Sequence, residues 1–227
     1  MASIIPELSY SQALSSERLG IAYIEDFRPT QFDLGYIQAA LTRVPELVKL
    51  LAEPKALDVY LRKHPLNVII GPKGKIYLAG DKHHFLFELW LAHAPLCYYR
   101  VKANWSWASN KKFWKMMKAK KMVNLIDQTG TQREPQDLPR YIYQLRDDPY
   151  RSLAGLVRRA GEFNKDPTNF VEFLWARFFQ KNLKTQDIAR HFDDAMNEAR
   201  ILAHSEAAQN LPGYIKWGAC SDLFTLP

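Results

Sequence analysis

Asn67-Val-Ile-Ile-Gly-Pro-Lys-Gly-Lys-Ile-Tyr-Leu-Ala-Gly-Asp-Lys-His-His-Phe-Leu-Phe-Glu-Leu-Trp90 is the stretch on which the fold of this chain turns. Asn67–Ile70 is rich in β-branched residues, Gly71-Pro72-Lys73-Gly74 has the composition of a tight turn, and Lys75–Leu78 reads as the returning arm of a hairpin. Gly80 breaks that arm, Asp81 is a strong helix N-cap, and Phe85, Leu86, Leu89 and Trp90 recur as the apolar face of a helix. A strand entering a helix through a glycine leaves free backbone N–H groups at the positive end of the helix dipole, a seat for phosphate. Gly80 and Lys82 are thus candidates for phosphate binding. His83 and His84 can donate to phosphate oxygens or carry protons near neutral pH, and Asp81 can act as a base or a metal contact. The competing reading is structural: Asp81 only caps the helix, and the histidines lie on the surface.

Toward the N-terminus, Gly20–Phe27 alternates as a strand and ends at Arg28-Pro29. Short helices are expected over 34–41, 46–51 and 55–63, punctuated by Pro45, Pro54 and Pro65. Toward the C-terminus, Pro95 ends the central helix and Leu96–Lys102 reads as a strand. A lysine-rich helix follows. Its Lys111, Lys112, Lys115 and Lys118 fall within an arc of about 120°, with Phe113, Trp114, Met116 and Met117 opposite. Gln128–Arg140, with two Pro and one Gly, is the expected boundary. Beyond it, Asp148 caps a helix with Pro149 at its first position. A second helix covers Phe170–Lys181, started by Thr168 or Asn169. A third starts at Thr185, with Ile188, Phe192, Ala195, Ala199 and Leu202 as its apolar stripe. The expected fold class is α+β: a small mixed sheet with helices over residues 18–127, then a mostly helical region over 140–215 packing on it.

Composition narrows the function. The chain has 227 residues, 47% hydrophobic and 13% aromatic, which excludes a wholly disordered protein. No apolar run approaches the roughly 18 residues of a membrane span, and Met1-Ala-Ser-Ile-Ile-Pro lacks a positive leader. Two cysteines, Cys97 and Cys220, cannot form a disulfide scaffold, so a cytoplasmic protein is expected. Both sit in apolar or terminal contexts, which argues against a cysteine nucleophile. The net charge of +7 sits entirely in residues 1–127, which hold 18 Lys and Arg against 11 Asp and Glu. No acidic residue falls between Glu88 and Asp127. Such a field attracts phosphates, nucleotides or nucleic acid. His84 and Glu88, four apart on one helix, could share a divalent ion, whereas no paired-cysteine or H-E-x-x-H spacing supports zinc.

Several motifs in order carry a resemblance: Arg28-Pro-Thr-Gln31, Asp81-Lys-His-His84, Asp147-Asp-Pro-Tyr-Arg-Ser-Leu153, Glu172-Phe-Leu-Trp-Ala-Arg-Phe178 and Leu211-Pro-Gly-Tyr214. Spread over residues 20–215, they make the chain resemble the ParB-like nuclease family, a distant branch of the ParB/sulfiredoxin superfamily. The resemblance implies a small α/β fold whose strand-to-helix turn binds nucleotide phosphates, with Arg28 and Gln31 reaching the same cleft. Relatives include CTP-binding partition proteins, ATP-using sulfiredoxins and ADP-dependent free serine kinases. The kinases carry Asp-Gly-His-His-Arg in the turn, so Asp81, His83 and His84 match, while Lys82 replaces Gly and Phe85 replaces Arg. Sulfiredoxins need a Cys where His83 stands, which excludes their chemistry. Gln31 stands near the position of the kinases' Glu base and cannot take a proton.

The leading expectation is phosphoryl transfer or hydrolysis of a nucleotide or phosphodiester, with Asp81, His83 and His84 catalytic and Mg²⁺ accompanying a nucleoside di- or triphosphate. The alternatives are a non-catalytic DNA-binding protein using the Lys111–Lys121 helix, and a small-molecule kinase. Asp148, Arg151 and Glu172 are expected either to pack structurally or to complete the cleft. Phe173, Trp175, Phe178 and Phe179 are expected in the core rather than on a partner surface.

Overall fold

The computed structural model describes residues 19–167 and 169–216. In chain order the elements are β1 (Gly20–Tyr23), β2 (Phe27–Arg28), β3 (Asp33–Leu34), α1 (Tyr36–Thr42), α2 (Val44–Leu51), α3 (Pro54–Lys63), β4 (Leu66–Ile70), β5 (Ile76–Leu78), α4 (His83–Leu91), β6 (Leu96–Asn104), α5 (Asn110–Ala119), β7 (Arg146–Asp147), α6 (Pro149–Arg159), α7 (Val171–Asn182) and α8 (Phe192–Ala203). The fold is α+β with a helical C-terminal part, as expected from sequence.

The strand expected over 20–27 is two strands. A short 3₁₀ turn, Ile24–Asp26, separates β1 from β2. They lie on opposite edges of a five-stranded mixed sheet ordered β1-β6-β4-β5-β2. β1 pairs antiparallel with β6, and β2 pairs parallel with β5. Three residues cannot bridge the edges of a flat sheet of this width, so the sheet must curl until its edges approach. The curled sheet and α1–α4 enclose the first core, in which Phe27, Leu66, Val68, Leu78 and Leu86 are fully buried. Each such side chain contributes about 1.5–3 kcal/mol.

The expected boundary at 128–140 is only partly a boundary. Ile142 and Leu145 join the first core, and β7 pairs parallel with β3. The second core starts at Leu153 and gathers Val157, Phe163, Trp175, Phe179 and the alanine stripe Ala195, Ala199 and Ala203. Trp175 stacks on Phe163 at 4.0 Å between centroids, so the aromatic cluster is core. The two cores meet where α6 packs on α1. A Cβ on Gly155 would stand 1.9 Å from Gln38 Oε1, and one on Gly35 2.6 Å from Ser152 N. The bare Gly35 lets the start of α1 approach the α6 backbone, and Gly155 leaves room for the Gln38 amide.

Three expected helix starts are displaced. Asp81 does not cap α4: Asn67 Nδ2 donates to its Oδ2 (2.9 Å), and Lys82, with φ +57°, occupies the cap position. Asn169 does not cap α7. Its amide donates to Lys121 O (3.0 Å), and Phe170 stands at the cap with φ +66°, while Thr168 lies outside the described residues. α8 starts at Phe192 rather than Thr185 because Glu198, on α8, accepts the N–H groups of Lys184 and Thr185 (2.8 and 3.0 Å), satisfying that stretch as a loop. Ile188 is buried from that loop. No helix among the described residues is long and apolar enough to cross a membrane.

Candidate functional site

β5 ends at Leu78, and the chain swings into α4 through Gly80 at φ +84°. The swing is crowded: a Cβ on Gly80 would lie 3.0 Å from Asn169 Nδ2 and 3.1 Å from Met122 Cα. Lys82 then takes a second left-handed conformation, at the position where the resembling kinases carry glycine. No side chain caps α4. Its first turn opens onto a cleft of about 690 Å³, with the start of α4 on one wall and α6, residues 165–167 and 169–170 and the start of α7 on the other.

The cleft is cationic. Arg43, Lys82, Arg151, Arg158, Arg159 and Lys165 line it, against Asp81, Asp166 and Glu172. Four of these six cations come from the second half of the chain, whose formal charge is zero. Folding therefore concentrates charge that composition had located elsewhere. Glu172 anchors the far wall: its carboxylate lies 2.9 Å from Arg158 Nε and 3.7 Å from Arg151 Nη2. Burial opposes its ionisation, but the two guanidinium groups outweigh burial and hold its pKa below the usual value. Arg151 is itself buried, donates to Gln38 Oε1 (3.0 Å), lies over the Phe173 ring at 5.2 Å, and leaves its Nε without a partner.

On the near wall, burial raises the Asp81 carboxyl pKa, while the Asn67 hydrogen bond and the Lys82 charge oppose it. Its Oδ1 is buried and has no hydrogen-bond partner. Lys82 Nζ donates to Pro65 O (2.6 Å), and burial depresses its ammonium pKa.

The histidines differ from expectation. His83 is buried, and its Nε2 accepts the Thr30 backbone N–H (2.9 Å). His84 Nε2 accepts the Gly35 N–H (3.2 Å). Burial, reinforced by the Arg151 charge, drives the His83 pKa down to about 3 and that of His84 well below its usual value. Both rings are neutral, with the proton on Nδ1, and both pin the 30–35 segment to α4. Neither is a proton carrier at neutral pH. Both rings line the cleft, His83 almost fully enclosed and His84 half-buried with a neutral Nδ1–H.

Two further expected residues fall away from the cleft. Arg28 Nη1 donates to Arg140 O (3.0 Å), and its guanidinium lies over the Tyr141 ring at 5.5 Å. Its place in the β2–β5 pair directs it to the 140s loop. Glu88 is 1% exposed and does not hold a metal with His84: Thr42 Oγ1 (2.6 Å) and Arg43 Nη1 (2.9 Å) occupy its two oxygens. Among the described residues no group of three His, Cys, Asp or Glu is placed to hold a metal ion. Gln31 does line the cleft, with its amide donating to Asp33 O (2.8 Å). Cys97 is buried and its thiol pKa is pushed up by burial; Cys220 lies outside the described residues. Lys111, Lys112, Lys115 and Lys118 are exposed on α5 as the arc predicts, and none lines the cleft.

Sequence reasoning missed Arg43, Arg158, Arg159 and Lys165. One signal was available: Arg151 and Arg158 are two helical turns apart and share a face with Ser152 and Gly155 near the α1 contact.

The family model described as putative ParB-like nuclease matches residues 21–181. No curated protein matches the chain. Among solved structures, the crystal structure of protein Atu1540 from Agrobacterium tumefaciens is 34% identical and superposes with a TM-score of 0.77, covering 88% of this chain and 98% of that one. The matched span contains the strand-to-helix turn, the Arg28–Gln31 segment and both walls of the cleft; the chain belongs to the ParB-like nuclease family.

Proposed function

We propose that the cleft binds the phosphate groups of a nucleotide or a nucleic-acid strand and that the protein cleaves or transfers a phosphoryl group there. The observation that carries this reading is the uncapped start of α4 facing Arg151 and Arg158 across a cleft in which cations outnumber acids six to three. Helix-end amides and forked guanidinium groups both match phosphate oxygens. The His84 Nδ1–H adds a neutral donor. Asp81 is the base: its half-buried carboxylate takes the proton of an attacking hydroxyl as the oxygen bonds to phosphorus. The leaving oxygen departs with the electron pair of its P–O bond, its charge met by Lys82 and Arg158. Mg²⁺ accompanying a nucleotide would be held mainly by the nucleotide's own phosphate oxygens and water, since the Asp81 carboxylate is committed as the base and no group of three ligating side chains gathers among the described residues.

Thermal shift with ATP, ADP, CTP and GTP, with and without Mg²⁺, tests binding. Wild type and Asp81→Asn should be stabilised by at least one of them, and Arg158→Ala should lose that shift. Product analysis then tests chemistry: Asp81→Asn should retain binding and lose turnover. An unchanged shift in Arg158→Ala would move the site elsewhere. Because an Asp81 base must be ionised, turnover should rise with pH, with its acid limb displaced above the ordinary aspartate value of about 3.9.

A further inference from the structure

The end of α5 runs onto the rim of the cleft. Asn169 Nδ2 donates to Lys121 O, and a Cβ on Gly80 would lie 3.3 Å from that same oxygen. At the other end of α5 the 71–75 turn packs against it, since a Cβ on Gly71 would meet the Phe113 ring at 2.9 Å. Lys73 and Lys75 are exposed on that turn, and Lys111, Lys115 and Lys118 are exposed on the outer face of α5. Neither 71–75 nor 104–126 contains an acidic residue. Trp107 stands out from this surface, 63% exposed, with the Lys112 ammonium 4.4 Å from its ring centroid.

We propose that this surface docks a single nucleic-acid strand and leads it over Lys121 into the cleft, so that the phosphate seated at Gly80 belongs to a polymer. The second half of this proposal rests on the cleft's being a phosphate site; the first half stands without it. Flexible lysines on one face suit sequence-independent contact with successive phosphates, and an indole suits stacking of an unpaired base. An anionic membrane has the same charge complementarity but requires an apolar face to insert. In α5 that face is already spent, because Phe113 and Met117 are fully buried in the core.

The test is fluorescence anisotropy with a labelled oligothymidylate of about 20 nucleotides, a length covering one or more binding sites. Wild-type affinity should fall steeply between about 50 and 200 mM salt. Replacing Lys111, Lys115 and Lys118 together by Glu should lower affinity at least about tenfold and flatten the salt dependence. Trp107→Ala should weaken binding with the salt dependence kept. Both variants should retain the mononucleotide thermal shift of the cleft. Oligonucleotide affinity unchanged in the triple variant but lost in Arg158→Ala would overturn the docking surface while leaving the cleft intact. Binding to phosphatidylserine vesicles without oligonucleotide affinity would overturn it in favour of a membrane. Loss of oligonucleotide binding in the triple variant, in a protein that shifts with no mononucleotide, would support the docking surface and count against the cleft.

Discussion

Two cationic regions lie side by side in this molecule and are built in opposite ways. The α5 face is one helix: its lysines come from a single ten-residue segment and are exposed to water. The cleft is assembled from α2's lead-in, the α4 turn, α6 and residues 165–167 and 169–170, and its charges are held by partners: Arg151 by Gln38 and Glu172, Arg158 by Glu172, Arg43 by Glu88. The first region is a field, in which each charge acts nearly alone. The second is a fixed geometry, in which removing one group strands another. Solvated lysines suit loose contact with many phosphates, and braced arginines suit a single phosphate in one orientation.

The contrast breaks most sharply on stability. Arg151→Ala would leave the Gln38 carbonyl and part of the Glu172 carboxylate unpaired beside the core, and should cost about 3 kcal/mol in urea or thermal unfolding. A loss below about 1 kcal/mol would mean that the cleft is as loosely built as α5. Gly155→Ala should cost about 2 kcal/mol, because the added methyl overlaps the buried Gln38 amide and displaces it from Arg151. Gly80→Ala should cost about 1 kcal/mol from its left-handed backbone and crowd Asn169, and it should weaken ligand shifts more than it lowers the melting temperature.

A pH experiment sharpens the same point. Asp148 caps α6, and burial raises its pKa to about 6. Folding therefore tightens its proton, so its share of stability is full below the unfolded value of about 3.9 and is lost as pH rises through about 6. Asp148→Asn keeps the cap and removes the proton, so the melting temperature should lose this slope between about pH 4 and 6. At the small end, Lys115→Ala on α5 should change stability by no more than about 0.5 kcal/mol, as expected for an exposed charge without a buried partner.

The legible parts of the sequence were those whose signal is local. The hairpin over 67–78, the break at Gly80, the amphipathic arc of α5 and the Asp148-Pro149 start of α6 all lie where spacing and turn chemistry place them. Asp81 misled as a cap because Asn67, fourteen residues earlier, competes for its carboxylate. Thr185 misled because Glu198 reaches back to it. His83 and His84 stand at the expected turn but act as struts, since their acceptor nitrogens meet backbone N–H groups from 30–35. Arg28 sits beside the right segment but faces the 140s loop, because β2 pairs on the far edge of the curled sheet.

What the sequence determined by itself is the α+β class, the glycine-broken entry into α4, and the presence of a cationic helix, since each follows from residues within a few turns of one another. Tertiary structure alone decided that α6 and α7 close over that entry, that four of the six cleft cations come from the half of the chain with no net charge, and that both imidazoles are neutral. The physical reason is common to all three. Charge, desolvation and hydrogen-bond competition act through space over a few ångströms, and the groups that meet there, such as Arg151 and Gln38, are more than a hundred residues apart along the chain.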